Sequence, residues 1–110
     1  MSKRIDCRVV GVKFEGRQGI LRRLATKDAP IERNFFTRKE AKLERDPDNE
    51  HDSNAIKVIV SGRQIGFVPS SIAEALAPRM DRGKRAEVDR LKIDVYDGTW
   101  YVDLRIKAGK

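Results

Sequence analysis

Apolar and polar residues alternate through most of this chain, and each interruption of the alternation marks a turn, a helix or a bend. Ile5, Cys7 and Val9 fall on one face of a strand, whereas Val10, Val12 and Phe14 carry the apolar face afterwards. The change of phase predicts a bulge or bend at Val10-Gly11. Gly16-Arg17-Gln18-Gly19 then opens onto Ile20, Leu21 and Leu24, whose spacing of three and four predicts a short helix with Arg22 and Arg23 turned outward. Residues 26–41 carry the turn residues Asp28-Ala29-Pro30 and a polar run broken only by Phe35-Phe36, and are expected to form an irregular excursion whose rings cover the core. Leu43 begins a strand that stops at Asp46-Pro47, where proline fixes φ and Asp and Asn favour a reversal.

The second half is more regular. Ala55-Ile56-Lys57-Val58-Ile59-Val60, Ser61-Gly62-Arg63 and Gln64-Ile65-Gly66-Phe67-Val68 read as a β-hairpin. Pro69-Ser70-Ser71 is expected to cap a helix whose apolar stripe is Ile72, Ala73, Leu76 and Ala77, with a kink or end near Pro78 and Met80 closing onto the core. Leu91, Ile93 and Val95 alternate up to Asp97-Gly98, a strong hairpin turn, and Trp100, Val102, Leu104 and Ile106 alternate back. About six strands with short helices predict a mostly β (α+β) chain curved into a small OB-like β-barrel, one domain over residues 1–110.

Composition sharpens the class. With 110 residues, 39% hydrophobic and 37% charged, the chain can build one modest core under an ionic surface. Lys and Arg number 24 against 17 Asp and Glu, a net charge of +7, which favours polyanions as partners without dictating the fold. Cys7 is the single cysteine, so no disulfide or multi-cysteine zinc site forms within one chain, and it is expected to pack in the core. Met1-Ser2-Lys3-Arg4 leads to Ile5 without an apolar signal region, and no run approaches the roughly 18 apolar residues of a membrane span. A cytoplasmic protein with no membrane partner is the expectation.

The chemistry concentrates in Leu43-Glu44-Arg45-Asp46-Pro47-Asp48-Asn49-Glu50-His51-Asp52-Ser53-Asn54-Ala55-Ile56-Lys57-Val58. A rigid turn at a strand junction can present Asn49, His51 and Asp52 with little ordering entropy left to lose on binding. The plainer reading is that Asp46, Asn49, Asp52 and Asn54 cap turn amides, as Asx residues do, and for Asp46 and Asn54 it is the preferred one. On pattern alone Phe67, two residues from Ile65, is a core residue, and Lys13 and Arg17 are solvated surface charges. Arg45, Lys57 and Arg63 border the turn, but alternation cannot place all three on one face. Asp46-x-Asp48-x-Glu50-x-Asp52 has the opening of a calcium loop, yet His51 stands where glycine is needed and Lys57 where the bidentate acid belongs, so the EF-hand template fails. P-loop, Gly-x-Ser-x-Gly and paired-histidine motifs are lacking, and no cofactor is called for.

This stretch resembles the signature of the HIRAN domain, and the resemblance extends in order through Gly11–Gln18, Gly62–Pro69 and Ala73–Ala77. That family occurs alone in bacteria and phages and as an N-terminal module of SWI2/SNF2-type DNA translocases, where it reads single-stranded DNA 3′ ends. The resemblance implies a barrel-like fold and a non-enzymatic nucleic-acid-binding module with a preference for free 3′ hydroxyls. It implies service in DNA repair or replication-fork processing, with a helicase, translocase or nuclease acting in trans. His51-Asp52 stands at the family's aromatic-acid pair, with histidine in place of tyrosine; a carboxylate there accepts from a terminal hydroxyl and repels an internal phosphodiester. Asn49 is implied as a donor to sugar or phosphate and Phe67 as a second stacking face. Ser70 replaces a phosphate-contacting lysine, and the family's basic-plus-tyrosine pair has no tyrosine here, leaving Lys13 and Arg17 as substitutes. Two rivals remain: a protein-interaction module whose turn is purely structural, and a metal-dependent phosphoesterase built on Asp46, Asp48, His51 and Asp52.

Overall fold

The computed structural model describes residues 3–28, 35–36 and 41–109. Its elements run β1 (Lys3–Arg8), α1 (Arg17–Asp28), β2 (Phe35–Phe36), β3 (Ala41–Arg45), β4 (Ile56–Val60), β5 (Arg63–Phe67), α2 (Ser70–Asp81), β6 (Ala86–Tyr96) and β7 (Thr99–Ala108). Two antiparallel sheets result, one ordered β1-β7-β6-β2 and the other β3-β4-β5. The mostly β, OB-like class expected from the pattern is what the chain adopts, although the hydrogen-bonded ladders form two sheets and not a closed ring. Beyond the six expected strands there is the two-residue β2, which pairs Phe35 with Lys92 and Phe36 with Leu91. The expectation that these rings cover the core lies outside the described side chains, as does most of the excursion between α1 and β3.

The phase change at Val9-Val10 has a direct cause. The Val9 amide still donates to the Val102 carbonyl in the first sheet (2.9 Å), while Val10 exchanges two hydrogen bonds with Phe67 of β5 in the second (2.9 Å each). One peptide thus hands the chain from one sheet to the other; Val9 and Val12 are buried, whereas Val10, expected on the new apolar face, is 46% exposed. The approach is close: a Cβ on Gly66 would lie 2.5 Å from both the Val10 carbonyl oxygen and Val9 Cγ1, inside any tolerable contact.

Both predicted hairpins form. Their central pairs, Ser61-Gly62 (φ +49° and +80°) and Asp97-Gly98 (φ +51° and +77°), take the left-handed conformation that matches strand twist. A register shift between Val58 and Ile59 and another between Val88 and Arg90 curve the two sheets toward each other. Ile56, Val58, Val60, Ile65, Leu91, Ile93, Val102 and Ile106 interlock between them, all fully buried.

Both helices depart from expectation in extent. Leu21 and Ala25, four apart, are each fully buried, so the stripe of α1 carries on and residues 26–28, expected to be irregular, stay helical. In α2 the first residue is Ser70 and the N-cap is Pro69, with no side-chain cap, so neither serine caps it. The helix also runs through Pro78 to Asp81, because buried Ala73, Leu76 and Ala77 hold it on the core. Met80 packs against that core as expected.

The outer face of the larger sheet is ionic. Direct neighbours in the β1–β7 register form the pairs Asp6–Arg105 (2.8 Å) and Arg8–Asp103 (3.1 Å), joined by Arg4–Asp89 and Lys92–Asp94 (3.2 Å each). Cys7 is half-buried, not a full core member. Desolvation, reinforced by Asp6 and Asp103, pushes its thiol up to about 11 from 9.0.

Two outcomes follow. Ile56→Ala removes a side chain with no solvent exposure and is expected to cost about 2 to 5 kcal/mol in urea unfolding; an unchanged midpoint contradicts the packing. The Cys7 thiol ionises earlier in the unfolded chain, so its contribution to stability, complete below pH 9, declines as pH rises to about 11. Denaturation of Cys7→Ala beside the parent should show a shallower decline across that window.

Candidate nucleic-acid interface

The 46–55 turn is a self-contained hydrogen-bond network. The Asn49 side-chain oxygen accepts from the amides of His51 (2.9 Å) and Asp52 (3.1 Å), and its Nδ2 donates to Asp46 Oδ2 (3.1 Å). Asp52 Oδ1 accepts from the Asn54 amide (2.8 Å). The main chain closes the loop through Asn49 N to Asp46 O, Ala55 N to Asp52 O and Asp46 N to Ala55 O. Of the four Asx side chains expected to cap turn amides, Asn49 and Asp52 do so, whereas Asp46 accepts from the Asn49 side chain and Asn54 is itself capped. Asn49 acts mainly inside the turn and retains one Nδ2 hydrogen for an outside acceptor.

Arg45 staples this turn to the fold. Its Nη1 donates to the Ala55 carbonyl (2.7 Å), its Nη2 to the Ser53 carbonyl (2.9 Å) and its Nε to Asp81 Oδ1 at the end of α2 (2.9 Å). That hydrogen bond raises the Arg45 pKa and lowers that of Asp81. The arginine considered for a basic track is therefore occupied by backbone. Arg63 sits at the opposite end of the β4–β5 hairpin, opposite Val60. Only Lys57, paired with both Glu44 and Phe67, borders the turn with a side chain on the same face as Phe67.

The register places a second set of candidates at the same end of the smaller sheet as the turn. Phe67, two residues beyond Ile65, is half-buried and does not join the core, which corrects the reading from alternation. Its ring instead lies 5.4 Å from the Arg17 guanidinium. Arg17 is 6% exposed, so it is not the solvated charge its pattern suggests. Its Nη1 donates to the Gly11 carbonyl (2.8 Å) and its Nη2 to Glu15 (2.9 Å). Gln18 donates to the carbonyls of Val12 and Trp100 (2.9 Å each) and accepts from the Trp100 amide (2.8 Å). These two side chains pin the 10–17 loop from beneath and leave Lys13 and Phe14 on its outside.

Two aromatics escaped sequence reasoning. Phe14 is 68% exposed beside Lys13, where its alternation with Val12 suggested an inward ring. Tyr101 of β7 supplies an aromatic partner to the basic residues of the first strand: its ring centre lies 5.0 Å from Arg8 and 5.9 Å from Lys13. Cross-strand neighbours of this kind leave no mark in linear spacing. Asn49, His51 and Asp52 form one group and Arg17 and Phe67 another at the same end of the smaller sheet, while Lys13 lies against Tyr101 of the larger sheet. His51 is exposed, and Ser70 is exposed at the start of α2. Among the described residues, no three of His, Cys, Asp and Glu gather as metal ligands.

The sequence and the fold both have counterparts among known proteins. The HIRAN domain family model matches residues 4–94. The rabbit (Oryctolagus cuniculus) helicase-like transcription factor is 46% identical over 48 residues, which cover 43% of this chain and 5% of that protein. The crystal structure of the HIRAN domain of human HLTF superposes with a TM-score of 0.63 at 24% identity, covering 99% of this chain and 80% of that one. A Lactobacillus plantarum protein superposes with a TM-score of 0.62 at 18% identity, covering both chains fully.

Removal of the Asn49 side chain should loosen the turn. Asn49→Ala deletes three hydrogen bonds and is expected to cost about 1 to 3 kcal/mol, with faster amide exchange at His51 and Asp52. Unaltered exchange at those amides contradicts the network.

Proposed function

The chain belongs to the HIRAN domain family, and on that premise we propose that it is a non-enzymatic module that binds single-stranded DNA and prefers a free 3′ hydroxyl. The observation that supports this most is the posture of Asp52. One carboxylate oxygen is fixed by the Asn54 amide, so the other is held in a set direction on a braced turn, beside exposed His51. A carboxylate so held accepts from a terminal hydroxyl, and repels the phosphate that replaces it within a strand.

In this reading His51 stacks on the terminal base and Phe67 offers a second face. Lys13 meets a backbone phosphate, and Asn49 donates its remaining amide hydrogen to sugar or phosphate. Arg17, committed to Gly11, Glu15 and Phe67, positions the ring and the loop and contributes to binding through them. The domain acts with a helicase, translocase or nuclease in trans at DNA ends, in repair or replication-fork processing; the helicase-like relative, of which this chain spans 5%, is consistent with that association.

A second reading is favoured by a different observation: Asp46, Asn49 and Asp52 all bond within the turn. On that basis the motif is only a scaffold and the domain docks a protein.

Anisotropy with a labelled single strand ending in a 3′ hydroxyl, the same strand ending in a 3′ phosphate, and a duplex separates the two. The parent is expected to favour the free hydroxyl by about tenfold, a charge-assisted hydrogen bond. Asp52→Asn keeps an oxygen for the Asn54 amide and should lose most of that preference. Equal affinity for the two ends sinks the end-reading mechanism, and no binding to any strand at low salt supports the scaffold reading.

A further inference from the structure

Among the described residues, the large hydrophobic side chains left exposed are Val10 (46%), Phe14 (68%) and Tyr96 (77%). The first two lie on the braced loop already described. Tyr96 lies elsewhere, at the end of β6 on the outer face of the larger sheet, and it edges a groove of about 540 Å³ lined also by Arg8, Asp94, Val95 and Tyr101. That volume suits a small ligand or part of a larger one. The register pairs Asp94 with Tyr101 and Tyr96 with Thr99, so both tyrosines project from the same face, one strand apart.

Lys13 reaches the edge of the groove from the 10–17 loop. That residue sits on the loop whose base is the Val10–Phe67 bridge, and its ammonium lies 5.9 Å from the Tyr101 ring. The chemistry of the groove differs from that of a phosphate track. Arg8 is paired with Asp103 at 3.1 Å, Lys92 with Asp94 at 3.2 Å, and Asp94 lines the groove. Its cations are largely balanced by carboxylates, and of its two aromatic rings Tyr96 stands open while Tyr101 carries Arg8 at 5.0 Å and Lys13 at 5.9 Å. Such a surface favours uncharged, flat groups over polyanion backbone.

We propose that the groove is a second nucleobase subsite, in which bases upstream of the 3′ terminal nucleotide stack on Tyr101 and Tyr96 after the strand passes Lys13. This rests on the single-strand reading above and extends it: the turn selects the end, and the groove sets how many nucleotides the domain engages. Lys13 is the one phosphate contact between the two positions, and the carboxylates of Asp94 and Asp103 keep the backbone on the solvent side of the bases.

The test compares a three-nucleotide and a ten-nucleotide oligothymidylate, both with free 3′ hydroxyls, and a ten-mer whose upstream positions are abasic. The intact ten-mer is expected to bind the parent about tenfold more tightly than its abasic counterpart. Tyr96→Ala should erode that gain and leave the three-mer unchanged, while Tyr101→Phe, which keeps the ring, preserves it. Tyr96 is mostly exposed, so its variant reports on binding without a folding cost. Equal binding of intact and abasic ten-mers overturns the subsite and leaves the end-reading proposal standing, as does a loss in the Tyr96 variant equal for long and short strands. Failure of every strand to bind overturns both.

Discussion

The loop half of the candidate interface depends on a contact made possible by a missing atom. The chain leaving β1 crosses onto β5 at Val10, and it lies so near Gly66 that a single methyl there would overlap the Val10 carbonyl and the Val9 side chain. Without that approach the two Val10–Phe67 hydrogen bonds cannot form. Those bonds set the position of the 10–17 loop relative to the smaller sheet, with Arg17 against Phe67 and Lys13 against Tyr101. The rule that a glycine within a strand marks close backbone approach has here a larger structural outcome, since the same peptide joins the sheets and anchors the 10–17 loop.

From that crossing outward, rigidity is built in layers. Arg17 and Gln18, at the start of α1, satisfy carbonyls that the irregular 11–15 path would otherwise leave open. On the other flank, Arg45 does the same for Ser53 and Ala55 while reaching α2 through Asp81. Long cationic side chains thus serve as internal struts, and the groups facing outward are short or aromatic. Such a division suits recognition of a flexible single strand, because the protein has little ordering entropy to lose when the ligand arrives.

Much of this was legible in the sequence. Turn chemistry at Ser61-Gly62 and Asp97-Gly98 located both hairpins, alternation gave the long strands, and the broken phase at Val9-Val10 located the crossing between sheets. The Asp-Pro-Asp-Asn turn was legible as a rigid element because Asx residues satisfy their own neighbours. The roles of Arg17 and Arg45 were hidden, since arginine reads as surface charge and its carbonyl partners are made available only by tertiary structure. Phe67 was misread because periodicity extrapolates an ideal strand, whereas β5 ends in a second pairing with Val10. The continuation of both helices depended on buried alanines, whose small size conceals their contribution to packing, and Tyr101 gained its significance from β1, some ninety residues earlier.

The ionic face of the larger sheet bears on how the domain meets DNA at a distance. A formal charge of +7 suggests a broad attraction to any polyanion. Yet Arg4, Arg8, Lys92 and Arg105 each have a carboxylate within 3.2 Å. Seen from more than a Debye length, such a lattice is a set of opposed dipoles whose field decays far faster than that of a lone charge. Duplex DNA drifting past that face meets little net pull. The formal charge of the chain thus overstates the attraction that a polyanion meets on that side.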